Sequence, residues 1–254
     1  MSEAFPRHVL CVLGSGLGLA EMERIATEFG GFVLDHEYSE AEHDPRMPEA
    51  FEASFQASRA AASFSEADRA AVESHDTVGY LLSMPMMREL AADTSRRLLA
   101  ATAALLRGGA VAVKNESSGI THGRVRWLTL ARQAAGAKDE ELADALVSAW
   151  VRRPIYGGRV LYSCGMHLLG APEVEIEVDR ELTEDGVSDL VTHLDALALY
   201  LLTDPRAAEI EDGAGFRLTE DAPRRVLRTG ACDRYDEDDL FFNPYGYVRL
   251  TPSE

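Results

Sequence analysis

Residues Leu105–Trp127 read LLRGGAVAVKNESSGITHGRVRW, and no other segment constrains the architecture as tightly. An apolar-striped helix runs into Gly108-Gly109, where glycine accepts the left-handed backbone that ends helices. Ala110-Val111-Ala112-Val113, small and β-branched, then reads as a buried strand ending at Lys114. A polar loop follows as far as His122, and a further helix starts at Arg124. Helix, strand, loop and helix in so short a span require a fold that mixes both element types.

Towards the N-terminus, Pro85 suits the first turn of the long helix, with Met87, Leu90, Ala91, Thr94, Leu98, Ala101 and Leu105 as its buried stripe. Thr77–Met84 is the strand before it. Further back, His8–Leu13 reads as a strand and Gly14-Ser15-Gly16 as a turn. A helix then presents Met22, Ile25, Ala26 and Phe29 on one face, Gly30-Gly31 stops it, and Phe32–Tyr38 is the next strand. Residues 39–76 form an insertion with two helices. One is Glu49–Ala62, carrying Phe51 and Phe55 at i, i+4; the other is Ser65–Ser74, where Ser65 and Asp68 make a capping box. Without the insertion the order is strand, helix, strand, strand, helix, strand, the split βαβ pattern of ferredoxin-like sheets.

Towards the C-terminus, helices are expected at Arg124–Ala135 and Asp139–Val151. Pro154 and Gly157-Gly158 then mark a junction between a split-βαβ half, 1–155, and a mixed α+β half, 156–254, joined as one compact unit. The second half opens with strands near Arg159–Gly165 and Glu173–Val178. In the latter, Val174, Ile176 and Val178 alternate with Glu173, Glu175 and Glu177, which predicts one buried and one wet face. Val187, Leu190, Val191, Leu194, Leu197, Ala198 and Leu201 make an amphipathic helix ended by Asp204-Pro205. Short strands near Gly215–Leu218, Arg224–Thr229 and Tyr245–Leu250 complete an α+β layout, with Phe241, Phe242, Tyr245 and Tyr247 fastening the C-terminus to the core.

The composition is that of a globular protein, 46% hydrophobic and 27% charged over 254 residues, enough for a core without a disulfide or metal staple. No apolar run is long enough to span a membrane, and Met1–Arg7 is too short and polar to be a signal peptide, so a cytoplasmic protein is expected. Cys11, Cys164 and Cys232 lack any paired spacing and read as reduced thiols. A net charge of −18 argues against general nucleic-acid binding or attraction to anionic membranes. That charge is segregated: residues 171–254 hold 21 Asp/Glu against 8 Lys/Arg, whereas residues 96–170 hold 11 Lys/Arg against 5 acids. The middle of the chain is a basic island.

Candidate sites follow from chemistry. Lys114, Glu116 and His122 lie where a strand leaves its sheet, a favoured ligand position, and could serve in proton transfer. Asn115, Ser117 and Ser118 stand beside them as candidate ligand-binding residues, although the GxSxG elbow of a serine hydrolase is absent. His167, between apolar residues, reads as a hydrogen-bonded structural histidine or, alternatively, as part of a ligand site. Gly14–Gly18, reading GSGLG between a strand and a helix, resembles a dinucleotide fingerprint with Asp35 as its acid. Leu19 stands where the third glycine belongs, which favours a plain turn. His36 and His43 among acids, and the run Asp233, Asp236, Glu237, Asp238 and Asp239, lack metal-ligand spacing. No metal and no cofactor are expected.

The phrases GMHLLGAPEVEIE at Gly165–Glu177, IEDGAGFRLTEDAPRRV at Ile210–Val226 and FFNPYGYVRL at Phe241–Leu250 resemble an uncharacterised bacterial family of unknown function. The resemblance covers residues 78–125 and 159–250. It implies a bacterial, cytoplasmic α+β protein and carries no activity. The leading functional expectation is an interaction or regulatory, immunity-like module whose acidic C-terminal half meets a basic protein partner. The rival is a small-molecule enzyme or ligand-binding protein with its site between Lys114 and His122; dinucleotide binding at Gly14–Gly18 is the weaker alternative.

Overall fold

The structure is a computed structural model describing residues 5–56, 63–178 and 184–253. Its architecture is mixed α+β with two sheets. At the centre of the first lies β1 (Val9–Gly14), every residue of which is buried. It is flanked by β3 (Thr77–Ser83) and β4 (Ala110–Asn115), and the full order is β2 (Phe32–Leu34), β3, β1, β4, β5 (Ile120–Thr121) with all neighbours antiparallel. Helix α1 (Leu19–Glu28) links β1 to β2, and α4 (Ala91–Gly108) links β3 to β4. Each crossover therefore passes a strand of the other, so two strand–helix–strand units interlock.

Helices α1 and α4 cover one face. The other is covered by the insertion helices α2 (Met47–Gln56) and α3 (Glu66–Glu73), whose Met47, Phe51, Phe55 and Val72 pack with Cys11, Leu13, Val78 and Ala112. Burial on both faces is why β1 is apolar throughout rather than alternating. The capping box at α3 forms: the Ser65 hydroxyl accepts from the Asp68 N–H, and the Asp68 carboxylate accepts from the Ser65 N–H. Of the helix expected over Glu49–Ala62, positions 57–62 lie outside the described residues.

Three expectations shift. The strand expected to reach Tyr38 ends at Leu34, because the Asp35 carboxylate accepts the Glu37 N–H and starts a turn. The long helix begins at Ala91, not Pro85, and Met87 and Leu90 are each 53% exposed. Met86 is the buried residue instead; its N–H donates to the Pro6 carbonyl (2.8 Å), keeping the chain extended beside the N-terminal segment. The wet face expected of β8 (Glu173–Glu177) is not wet, since Glu173 and Glu175 are buried.

The second sheet runs β6 (Arg152–Tyr156), β7 (Val160–Cys164), β8, β11 (Tyr247–Pro252), β10 (Arg225–Gly230), β9 (Gly215–Phe216), antiparallel except for the β8–β11 pair. Helices α5 (Arg124–Gly136), α6 (Asp139–Trp150) and α7 (Glu184–Thr203) fill the space between the sheets. One apolar cluster extends from Leu10 to Leu250 through Trp127 and Trp150. Trp127 donates to the Val113 carbonyl and Trp150 to that of Ser95, so neither indole N–H is wasted. Gly165 sits where a Cβ would come within 2.4 Å of the Trp150 carbonyl, at φ 123°, a place only glycine fits.

Candidate functional site

Alternation along β4 separates the residues that the sequence groups together. Lys114 points toward the insertion: its Nζ donates to Glu116 Oε2 (3.0 Å) and lies 5.9 Å from the centre of the Phe51 ring. Asn115 is buried on the opposite face, donating from Nδ2 to His8 Nδ1 (2.9 Å) and accepting the Ser117 N–H. The Ser117 hydroxyl donates to the Arg7 carbonyl and accepts the Val9 N–H, tying the loop to β1. His122 donates from Nε2 to the Ala149 carbonyl (3.1 Å) and meets Trp127 edge to face at 4.6 Å. Neither serine is hydrogen-bonded to His122, and Lys114 turns away from it. The Lys114–Glu116 pair and the serines do not converge on His122, and Asn115 and Ser117 hold the loop in place.

His167 belongs to a buried knot. Its Nδ1 donates to Glu173 Oε1 (3.0 Å), and the same carboxylate accepts the N–H groups of Gly165, Met166 and His167, the Ser163 hydroxyl and the Asn243 amide. Glu175 is held between Arg234 and Arg249. The GMHLLGAPEVEIE and FFNPYGYVRL segments are thus fastened to each other through Glu173 and Asn243, a structural role.

The GSGLG turn is filled by the chain itself: the Gly16 N–H donates to both carboxylate oxygens of Asp76 (3.1 and 2.9 Å). A pyrophosphate there would meet a like charge, and the antiparallel sheet lacks the parallel strands of a dinucleotide fold. Among the described residues no group of three or more His, Cys, Asp or Glu is placed to hold a metal. His36 contacts Glu23, while His75 accepts the Asp44 N–H and donates to the Val72 carbonyl.

The groups that do converge line an open cavity of about 410 Å³, where β5, α5, α6, β6 and α7 meet. Arg126, Arg152 and Arg153 reach it with Ser63, Ser148 and His122; Asp144 and Asp195 complete its charged lining. Arg153 is spent, donating to Asp195 (2.6 Å) and to the Val147 and Val151 carbonyls. Arg126 and Arg152 have no carboxylate partner among the described residues; Arg152 lies over the Phe241 ring at 5.7 Å. Ser63 Oγ, His122 Nδ1, Arg126 Nε and Arg152 Nε are buried and unpartnered, four of the six such side-chain atoms among the described residues. Burial pushes the His122 pKa down to about 3, against the hydrogen bond to Ala149, with Arg126 adding to the depression. The ring is therefore neutral at pH 7, and donation from Nε2 leaves Nδ1 an acceptor.

Arg126, Arg152 and Arg153 were not singled out by motif. The signal for them was the basic island over 96–170, in an otherwise acidic chain. No family model matches the chain, and no curated protein or solved structure matches it.

Proposed function

We propose that the protein is a binding module for a small molecule carrying an anionic group, which Arg126 and Arg152 hold in the cavity at His122. The observation that carries this is that one hollow is lined by two guanidiniums, those of Arg126 and Arg152, without a carboxylate partner among the described residues. Buried polar groups are normally satisfied, and a guanidinium fork matches an oxyanion. Separation of the Lys114–Glu116 pair and of the serines from His122 favours binding over turnover at that loop. Of the earlier candidates, only His122 remains in this site.

The chain's two tryptophans, Trp127 and Trp150, give an intrinsic reporter, since Trp127 touches His122 and the two indoles lie 5.2 Å apart. Fluorescence titration with phosphates and carboxylates is expected to show saturable binding. Replacing both Arg126→Gln and Arg152→Gln should weaken it by about 100-fold, the scale of two charge-assisted hydrogen bonds. Binding unchanged in the double variant, or no anion bound by the native chain, defeats the proposal.

The exposed run Asp236, Glu237, Asp238 and Asp239, in a C-terminal region of net charge −13, supports a second reading, docking of a basic protein partner. On that reading a stoichiometric partner is retained at low salt and released at high salt. Retention that ignores salt counts against it.

A further inference from the structure

Resting on the anion-binding reading, we infer that the ligand is a zwitterion, a small molecule with an ammonium group beside its oxyanion, and that Asp144 receives the ammonium while Arg126 and Arg152 hold the anion. The charges of the hollow divide between its walls. Arg126 on α5 and Arg152 on β6 supply cations without a carboxylate partner among the described residues. Only the Nε atom of each is sealed; the terminal nitrogens, which make no hydrogen bond among the described residues, stay open to a ligand. Arg153, also on β6, is already answered by Asp195 of α7 at 2.6 Å.

Asp144 is the charge left over. It stands on α6 one turn before Ser148, and both line the hollow from the same face of the helix. Of the other acids on α6, Asp139, Glu140 and Glu141 lie outside the lining. The Asp144 side chain is exposed and forms no ion pair or hydrogen bond among the described residues, with the three arginines or with anything else. The lining therefore offers open groups of both signs to whatever fills it. A volume of about 410 Å³ keeps them within about one Debye length, roughly 8 Å at physiological salt, of a ligand at its centre. A plain anion is repelled by Asp144 as well as drawn by Arg126 and Arg152; an ammonium on the same molecule turns that repulsion into attraction. The complementary ligand carries one anion and one cation, the chemistry of a free amino acid or of an aminoalkyl phosphate. Either anion suits a pair of guanidiniums, as Glu175 between Arg234 and Arg249 shows for a carboxylate.

The test compares compounds that differ only in the amine, propionate against alanine and β-alanine, and ethyl phosphate against 2-aminoethyl phosphate. Binding to the native protein is measured by calorimetry at constant ionic strength and about pH 7, where the amines are cationic. An aminated compound is expected to bind at least about tenfold more tightly than its matched anion, the scale of a hydrogen bond between charged groups. Whichever aminated compound binds most tightly names the source of the anion, an amino acid or an aminoalkyl phosphate. In Asp144→Asn the preference should fall below about threefold, while the plain anions bind more tightly than to the native chain, because a like charge has left the hollow. A substitution that merely disturbs α6 weakens plain and aminated compounds alike; that outcome overturns the role of Asp144, as does a preference that survives the substitution. If the native protein binds plain and aminated compounds equally, and Arg126→Gln with Arg152→Gln abolishes both, the anion site stands and the zwitterion is overturned. If no compound binds, or binding survives loss of both arginines, the anion reading itself fails and takes this inference with it.

Discussion

Glu173 shows how a single side chain escapes a periodicity rule. The pattern EVEIE predicts that the glutamates face water, yet the Glu173 carboxylate is buried and accepts from three backbone N–H groups, Ser163, His167 and Asn243. Burial alone would raise its pKa; the hydrogen bonds and ion pair with His167 outweigh that and hold it below the usual carboxylate value. A depressed folded pKa means stability that is present above the unfolded pKa and lost as pH falls through the folded one. Glu173→Gln removes the charge and turns an amide donor toward groups that are themselves donors. It should cost about 3–5 kcal/mol in denaturant unfolding, the scale for breaking a buried pair; a loss below about 1 kcal/mol would contradict this account. The partners were illegible in sequence because Asn243 lies 70 positions away. His167 stands among apolar neighbours in the sequence, which does not reveal Glu173 as the partner of its Nδ1.

At the scale of elements, local patterns proved legible and pairings across the fold did not. The stripe of α4, the turn at Gly108-Gly109 and the capping box of Ser65 and Asp68 depend on residues within a few positions of one another, and each is found close to where the pattern puts it. The role of the insertion depends instead on which sheet face lacks cover, a non-local fact. Helices α2 and α3 supply the second layer over β1, so a segment that reads as an addition completes the core. The start of α4 was misplaced because Met86 pairs with Pro6, a partner far back in the chain that no helical periodicity registers. The site shows the same division. His122 stood out because it closes a polar loop, whereas Arg126 and Arg152 are ordinary helix and strand arginines until α6 and α7 enclose them.

For the molecule as a whole, two buried histidines set the response to acid. His8 accepts from Asn115 of β4, contacts Ser95 of α4 through Nε2 (2.8 Å), and Ser95 donates onward to the Leu168 carbonyl, so the ring links the first sheet to the second half. Burial, reinforced by the charge of His167, pushes its pKa down to about 3, and burial does the same for His122. Both folded values lie below the unfolded value of 6.5, so between these limits the unfolded chain takes up protons that the native chain refuses. Stability is therefore full above about pH 6.5 and falls as pH drops, by about 3 kcal/mol per ring at about pH 4. Glu173 adds to the loss at the lower end. Because His8 binds the two halves together and one apolar cluster runs through both, acid should unfold them in a single transition. Denaturant curves at about pH 7 and about pH 4.5, followed by tryptophan fluorescence and far-UV circular dichroism, measure this. Coincident curves with a large drop in midpoint at the lower pH are expected; a midpoint that does not move would mean the rings are not buried neutral, and two separated transitions would mean that the halves are not joined through His8.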